Sequence, residues 1–291
     1  MISSGIKAKT VVVITGANSG IGYQTVLSLL RSSSRGYSIF VGARSLPKAE
    51  EAINQFGRED GIRPDLSESE MIPMAVDLES DESIRRCFED VRGKTDQVDV
   101  LINNAGASFD KTGPEIGLTP REIFQKTFEI NVTGTHLFTH TFIPLLLNSP
   151  DGTLLFLTSG SASLTRTEDK EFSLNESPPS GWPKPTSTSG PGRGGGGGYL
   201  SYKTSKVALN MIMREWVRIL GNDENIKVFG INPGTVLTNF GGHQEQLRKW
   251  GAKDPSTSGE FIRSVIEGER DKDWGKIINP PGAPTGEILP W

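Results

Sequence analysis

The stretch Thr10-Val11-Val12-Val13-Ile14-Thr15-Gly16-Ala17-Asn18-Ser19-Gly20-Ile21-Gly22 decides how the rest of the chain is read. Its first six residues form a β-branched run without polar alternation, as expected of a strand buried on both faces. A turn with glycines at 16, 20 and 22 follows, and Gly20–Arg31 reads as a helix. Strand, glycine turn and helix in that order meet the needs of a bound pyrophosphate: a tight turn, close backbone approach, tight helix-on-strand packing and a helix N-terminus aimed at the anion. Gly16, Asn18, Ser19, Gly20, Ile21 and Gly22 are therefore expected to hold a dinucleotide. A glycine triplet alone is a weak signal; its flanking strand and helix strengthen it.

Working outward, short apolar runs alternate with longer amphipathic ones. Strands are expected at Ser38–Gly42, Ile72–Ala75, Val98–Ile102, Thr153–Thr158, Lys227–Ile231 and Lys276–Ile278. Helices are expected at Leu46–Phe56, Ser80–Arg92, Thr119–Leu147 and Tyr199–Leu220. Alternation of this kind favours parallel strands joined by right-handed helical crossovers. The predicted class is α/β: a single doubly wound Rossmann domain over residues 1–291, with a mostly seven-stranded parallel sheet and helices on both faces. Residues 164–198 break the rhythm. Their Pro-, Gly- and Ser-rich composition predicts an insertion that includes a mobile loop, at an entropic cost that grows only slowly with its length.

Composition limits the function classes. Of 291 residues, 35% are hydrophobic and 34 are Gly, the range of an ordinary globular chain. With 31 Lys and Arg against 35 Asp and Glu the formal charge is −4, so no global positive field draws nucleic acid or an anionic membrane. Any phosphate has to be held locally. Cys87 is the only cysteine, which excludes an internal disulfide, and three histidines with one thiol do not make a zinc constellation. No run approaches the ~18 apolar residues of a membrane span. A cytoplasmic protein with no metal, no membrane span and no nucleic-acid partner is expected.

The end of the second strand discriminates between dinucleotides, because an acid there accepts hydrogen bonds from a ribose 2′-hydroxyl. This chain has Ala43-Arg44-Ser45 instead. A guanidinium suits a 2′-phosphate, so NADP(H) is expected over NAD(H), with Lys48 assisting. Further on, Tyr202-Lys203-Thr204-Ser205-Lys206 puts Tyr202 and Lys206 four positions apart on one helix face. A tyrosine near its reference pKa of about 10 is a poor proton shuttle at neutral pH. A cation at ~4 Å, with an effective dielectric of ~20, is worth about 4 kcal/mol. Lys206 is thus expected to acidify the phenol and make Tyr202 a general acid/base.

Taken together, the glycine turn at 15–22, Asn103-Asn104-Ala105-Gly106, Asn131, the serines ending the fifth strand, Tyr202 with Lys206, and Pro233-Gly234 resemble the short-chain dehydrogenase/reductase family, in its order and over nearly the whole chain. The resemblance implies roles. Ser159 would hydrogen-bond a substrate carbonyl oxygen, Tyr202 would give that oxygen a proton, and Lys206 would also bind the nicotinamide ribose. Asn131 would hold a relay water. Asn104, Ala105 and Gly106 would pack beside the adenosine ribose, and Asp77 and Leu78 would meet the adenine. Pro233, Gly234, Val236 and Thr238 would complete the nicotinamide end. Thr158, Ser161 and Ser163 lie close to Ser159, which is favoured by the Thr-Ser-Gly at the strand end.

The resemblance also implies departures. The 43 positions from Ser159 to Tyr202 exceed the usual spacing because of the insertion; monomeric carbonyl reductases also carry one there, which leaves monomer and homodimer both open. Ser19 stands where many NADP-preferring members have a basic residue. Residues 239–270, with Trp250 and Phe261, fall where the family places its substrate lid, and the insertion would lie at the active-site mouth. Trp182 and Trp291 are further candidate pocket walls. His136 and His140 lack a third metal ligand, and Cys87 reads as a buried small hydrophobe. The expected activity is NADPH-dependent reduction of a ketone or aldehyde, reversible as alcohol oxidation. An isomerase or cyclase reusing the pocket and an NADP-binding regulatory protein are the alternatives.

Overall fold

A computed structural model describes residues 9–62, 69–170, 175, 177, 180–182, 199–240, 244–249 and 251–291. The β-branched run forms β1 (Thr10–Ile14), followed by α1 (Gly20–Leu30), β2 (Tyr37–Ala43), α2 (Leu46–Phe56), β3 (Glu70–Ala75), α3 (Asp81–Arg92) and β4 (Val100–Asn103). Then come α4 (Thr112–Glu115), α5 (Pro120–Phe128), α6 (Thr135–Leu147), β5 (Gly152–Leu157), α7 (Leu164–Thr167), α8 (Leu200–Ile219) and β6 (Ile226–Ile231). The chain finishes with α9 (Gln244–Lys249), α10 (Ser256–Ile266) and the short β7 (Ile277–Ile278). Seven strands pair in parallel in the order β3-β2-β1-β4-β5-β6-β7. The chain builds one half outward from β1 and the other outward from β4. Between these two strands the winding reverses, which opens a crevice at their carboxyl ends.

Alternation along each strand feeds two cores. Val12, Ile14, Ile39, Val41, Val100 and Ile102 belong to one with α1, α2 and α10; Val13, Phe40, Leu101, Leu154 and Phe156 belong to the other with α3, α6 and α8. Both faces are covered, as a parallel sheet requires.

Two expectations need correction. The helix expected over 119–147 is not continuous: a π-helical turn, Glu129–Gly134, separates α5 from α6. Gly134 in that turn lies against the Leu78 carbonyl so closely that no Cβ fits, and buried Asn131 is committed to partners off the helix. Insertions of this kind occur where tertiary contacts outweigh the regular ladder. Next, the segment expected as an irregular insertion from 164 starts with a helical turn, α7, capped by Ser163, whose hydroxyl accepts the Arg166 N–H at 3.2 Å. Most of the remainder, residues 171–198, lies outside the described residues. Within the segment expected as a lid, α10 packs on α1: Phe261, Ile262, Val265 and Ile266 are buried, and Gly259 allows close approach to the α1 backbone around Gln24 and Thr25.

The aromatic packing under α6 carries a stability prediction. Phe142 is fully buried, 4.3 Å from Phe138 and edge-on to Phe88 at 5.4 Å between centroids. Phe142→Ala is expected to cost about 3–5 kcal/mol, read from the urea midpoint at unchanged slope. Ile116→Ala, at a residue 68% exposed, should stay within about 0.5 kcal/mol of the parent.

Candidate active site

The glycine turn closes on itself through β4. Gly16 and Gly20 have φ of +65° and +56°, where other residues are strained. A Cβ on Gly22 would stand 2.5 Å from both the Gly16 carbonyl and the Asn104 amide. That amide donates to the Thr15 and Gly16 carbonyls at 2.7 and 2.9 Å. In return the Thr15 hydroxyl accepts the N–H groups of Asn104 (3.2 Å) and Ala105 (3.0 Å). The N-cap of α1, Ser19, makes no side-chain cap bond, and no acid lies in the first turn. The N–H groups there remain free of a side-chain cap, and the helix dipole favours an anion at that end.

A cavity of about 2300 Å³ runs over the carboxyl ends of the strands. Every site residue expected from the sequence lines it except Gly22, which lies beneath the turn, and Asn131, which is fully buried. Arg44 and Lys48 line one end. Arg44 is exposed and makes no ion pair among the described residues. It immediately follows β2, and the N-cap of α2, Ser45, makes no side-chain cap bond. A dinucleotide fits this arrangement: a glycine turn that admits close approach, a helix N-terminus without a side-chain cap, and an exposed cation after β2.

At the other end stand Ser159, Tyr202 and Lys206. Lys206 is 4% exposed and its Nζ donates to the Leu157 carbonyl at 2.8 Å; it lies 5.8 Å from the Tyr202 ring centroid. Burial brings the Lys206 ammonium down to about 8. Burial also pushes the Tyr202 phenol up to about 12, opposed by a hydrogen bond with Ser159 and reinforced by Tyr199. The expectation that Lys206 acidifies the phenol is therefore corrected. Loss of water raises the phenol and lowers the ammonium, and the ammonium is bound to a main-chain carbonyl.

The candidate serines separate by their partners. Ser163 accepts the Arg166 N–H and donates to the Trp291 carbonyl, while Thr158 donates to Asn210. The Ser159 Oγ lies 2.9 Å from that of Ser161, and Ser159 is the serine whose hydroxyl lowers the Tyr202 phenol against its burial. Asn131, expected to hold a relay water, has both amide protons taken, by the Ala107 carbonyl (2.8 Å) and Ser205 (2.9 Å), while its oxygen accepts the Ala107 N–H. Its side chain braces a loop.

Sequence reading missed several participants. Asn232 accepts the N–H groups of Gly160 and Gly234 and donates to Asn279, joining the loops after β5, β6 and β7. Its place just before Pro233-Gly234 was an available signal. Phe240 and Tyr199 flank the Tyr202 ring, with centroids at 5.3 and 6.5 Å. No local motif marks them. Trp182 is 83% exposed and is absent from the cavity lining, as is Trp291, which stacks beside Arg214. Trp250 lies outside the described residues, and Phe261 is both core and cavity wall.

The Cys87 thiol is buried and pushed up to about 12. His136 and His140 stand 6.3 Å apart between ring centroids, and among the described residues no group of three His, Cys, Asp or Glu side chains is placed to hold a metal. No described helix is long and apolar enough to cross a membrane.

Comparison with known proteins agrees with this geometry. Residues 10–169 match the short chain dehydrogenase family. The chain is 37% identical over 284 residues to the short-chain dehydrogenase/reductase tropE of Talaromyces stipitatus, covering 97% of this chain and 98% of that protein. It is 38% identical over 272 residues to eupG of a Phoma species, described in the same words, covering 91% and 92%. Among solved structures it resembles an NADPH-bound carbonyl reductase from chicken fatty liver, with a TM-score of 0.72 at 21% identity, over 98% of this chain and all of that one.

The depressed Lys206 value has a consequence for stability. Between pH 8 and its unfolded value near 10.5 the unfolded chain binds this proton and the folded chain does not, so stability rises with pH through that window. In urea titrations the parent is expected to gain on Lys206→Met as pH is raised from 8 to 10.5. A pH-independent difference between the two proteins would contradict the burial assigned to this ammonium.

Proposed function

The chain belongs to the short-chain dehydrogenase family, and we propose that it is an NADPH-dependent reductase of a ketone or aldehyde, reversible as oxidation of the alcohol. The observation that carries this reading is one cavity lined by the glycine turn at one end and by Ser159, Tyr202 and Lys206 at the other. When bound, NADPH would supply a hydride from the nicotinamide C4.

The chain's own groups manage the oxygen. Negative charge would develop on the carbonyl oxygen during reduction, and hydroxyl donors fixed beforehand stabilise that charge more than the ground state. Ser159 donates one hydrogen bond and Tyr202 transfers its proton. A phenol held near 12 is fully protonated at neutral pH, which is the form that reduction consumes. Lys206, held near 8, can return a proton at little cost. The glycine turn and the α1 N-terminus would hold the pyrophosphate, Asn104 and Gly106 would pack beside the adenosine ribose, and Arg44 with Lys48 would hold the 2′-phosphate. Tyr199 and Phe240 beside the phenol support an apolar, ring-bearing carbonyl compound. Residues 239–270 would serve as the lid and the 164–198 insertion would border the mouth.

Two measurements test this. With a panel of aldehydes and ketones followed by cofactor absorbance, Tyr202→Phe is expected to lower kcat by at least ~10²-fold while NADPH still binds. Tight NADPH binding without turnover of any substrate by the parent would favour a binding protein instead. Arg44→Ala is expected to weaken NADPH on the order of 10- to 100-fold with little effect on NADH; equal effects on both would remove Arg44 from 2′-phosphate recognition.

A further inference from the structure

Tyr202 sits in the first turn of α8, which begins at Leu200. First-turn N–H groups have no partner inside the helix, and helix ends fray. The N-cap residue, Tyr199, makes no side-chain cap bond. Ahead of it the sequence reads Gly194–Gly198, all glycine, the residue with the most backbone freedom. Local sequence therefore does little to set where this turn begins.

The cap comes from 91 positions away. Asp110, in the loop between β4 and α4, accepts the Ser201 N–H at 2.8 Å through Oδ1. Its Oδ2 accepts the Tyr202 N–H at 3.0 Å, the Ser201 hydroxyl at 2.8 Å and the Ser108 hydroxyl at 3.2 Å. A carboxylate at this end also complements the helix dipole. The adjacent Lys111 places its Nζ 4.7 Å from the Tyr199 ring centroid, so consecutive residues of one loop grip both the backbone and the flank of the turn. Ser201 is held from a second side by Thr127 of α5, with the hydroxyls 3.0 Å apart.

We propose that Asp110 is the positioning residue for Tyr202, a helix cap supplied in trans by the β4–α4 loop that fixes the phenol against Ser159. The proposal rests on Tyr202 being the proton donor. Asp110 reaches the tyrosine through its main-chain N–H, so its removal displaces the phenol without removing a reacting group. The same loop carries Ala107, tied to Asn131, and begins at Asn104, tied to the glycine turn. The phenol and the dinucleotide cradle are thereby referenced to one stretch of backbone.

The test uses the full-length protein with Asp110→Ala, which removes all these acceptors, and Asp110→Asn, which keeps one carbonyl oxygen and serves if the alanine variant does not fold. Three quantities are measured: amide hydrogen exchange along α8, NADPH affinity by fluorescence, and kcat and KM for the best carbonyl substrate. In Asp110→Ala, exchange at Ser201 and Tyr202 is expected to quicken by about tenfold with Leu209–Trp216 unchanged. The fall in kcat should be on the order of 10- to 100-fold, with KM and NADPH affinity within about threefold, and Asp110→Asn should recover part of both losses. Unchanged exchange, kcat within twofold of the parent, or NADPH affinity falling in step with kcat overturns the proposal. Normal turnover by Tyr202→Phe would instead remove the proton-donor reading itself, and the clamp's role with it. The two failures are told apart by which variant stays active.

Discussion

The Asn104 side-chain amide, donating to two consecutive carbonyls at Thr15 and Gly16, joins the ends of the two strands between which the sheet reverses its winding. The rest of the site depends on that joint. The Thr15 hydroxyl, accepting the Asn104 and Ala105 N–H groups, ties the glycine turn after β1 to the loop after β4 a second time. Joined in this way, they become opposite walls of one crevice. Net charge makes local construction necessary: at −4 the protein offers no long-range attraction to a polyphosphate, so the grip has to come from backbone N–H groups, a helix end and one or two cations. From Asn104 the connection continues through Ala107 to Asn131, from Asn131 to Ser205, and from Ser205 to the Tyr202 carbonyl. Each link involves a buried or half-buried polar group, where an unmade bond is costly.

The electrostatics of the tyrosine and lysine follow from burial more than from pairing. Desolvation disfavours whichever form is charged, so it raises a phenol and lowers an ammonium. Both shifts occur here, to about 12 and about 8. Helical spacing places the two side chains on one face. It says nothing about how much water surrounds them, nor about the Leu157 carbonyl that takes the ammonium. The resulting neutral phenol suits a proton donor, and the lowered ammonium suits a group that refills it. Ser159 supplies the only hydrogen bond opposing the rise.

Much of the architecture could be read because β-branched runs and amphipathic stretches are local signals. Strands were anticipated with their boundaries displaced by one or two residues, as β4, expected at Val98–Ile102 and found at Val100–Asn103, illustrates. The π-helical turn could not be read, since Thr119–Leu147 is a plausible helix throughout and the interruption answers to Leu78, Ala107 and Ser205, all remote in sequence. The same holds for α10. Its amphipathic pattern announces a buried face, but whether that face meets a substrate or α1 depends on what packs beside it.

By itself the sequence determined the parallel α/β class, the order of its motifs and the residue types at the cradle and the Tyr-Lys helix, because turn geometry and helical periodicity act over a few residues. Only the tertiary structure decided which serine meets Tyr202, that Asn131 braces a loop, that burial governs both pKa shifts, and that Asp110 caps α8. Those depend on distances between segments tens of residues apart and on the exclusion of water between them, neither of which is encoded in local spacing.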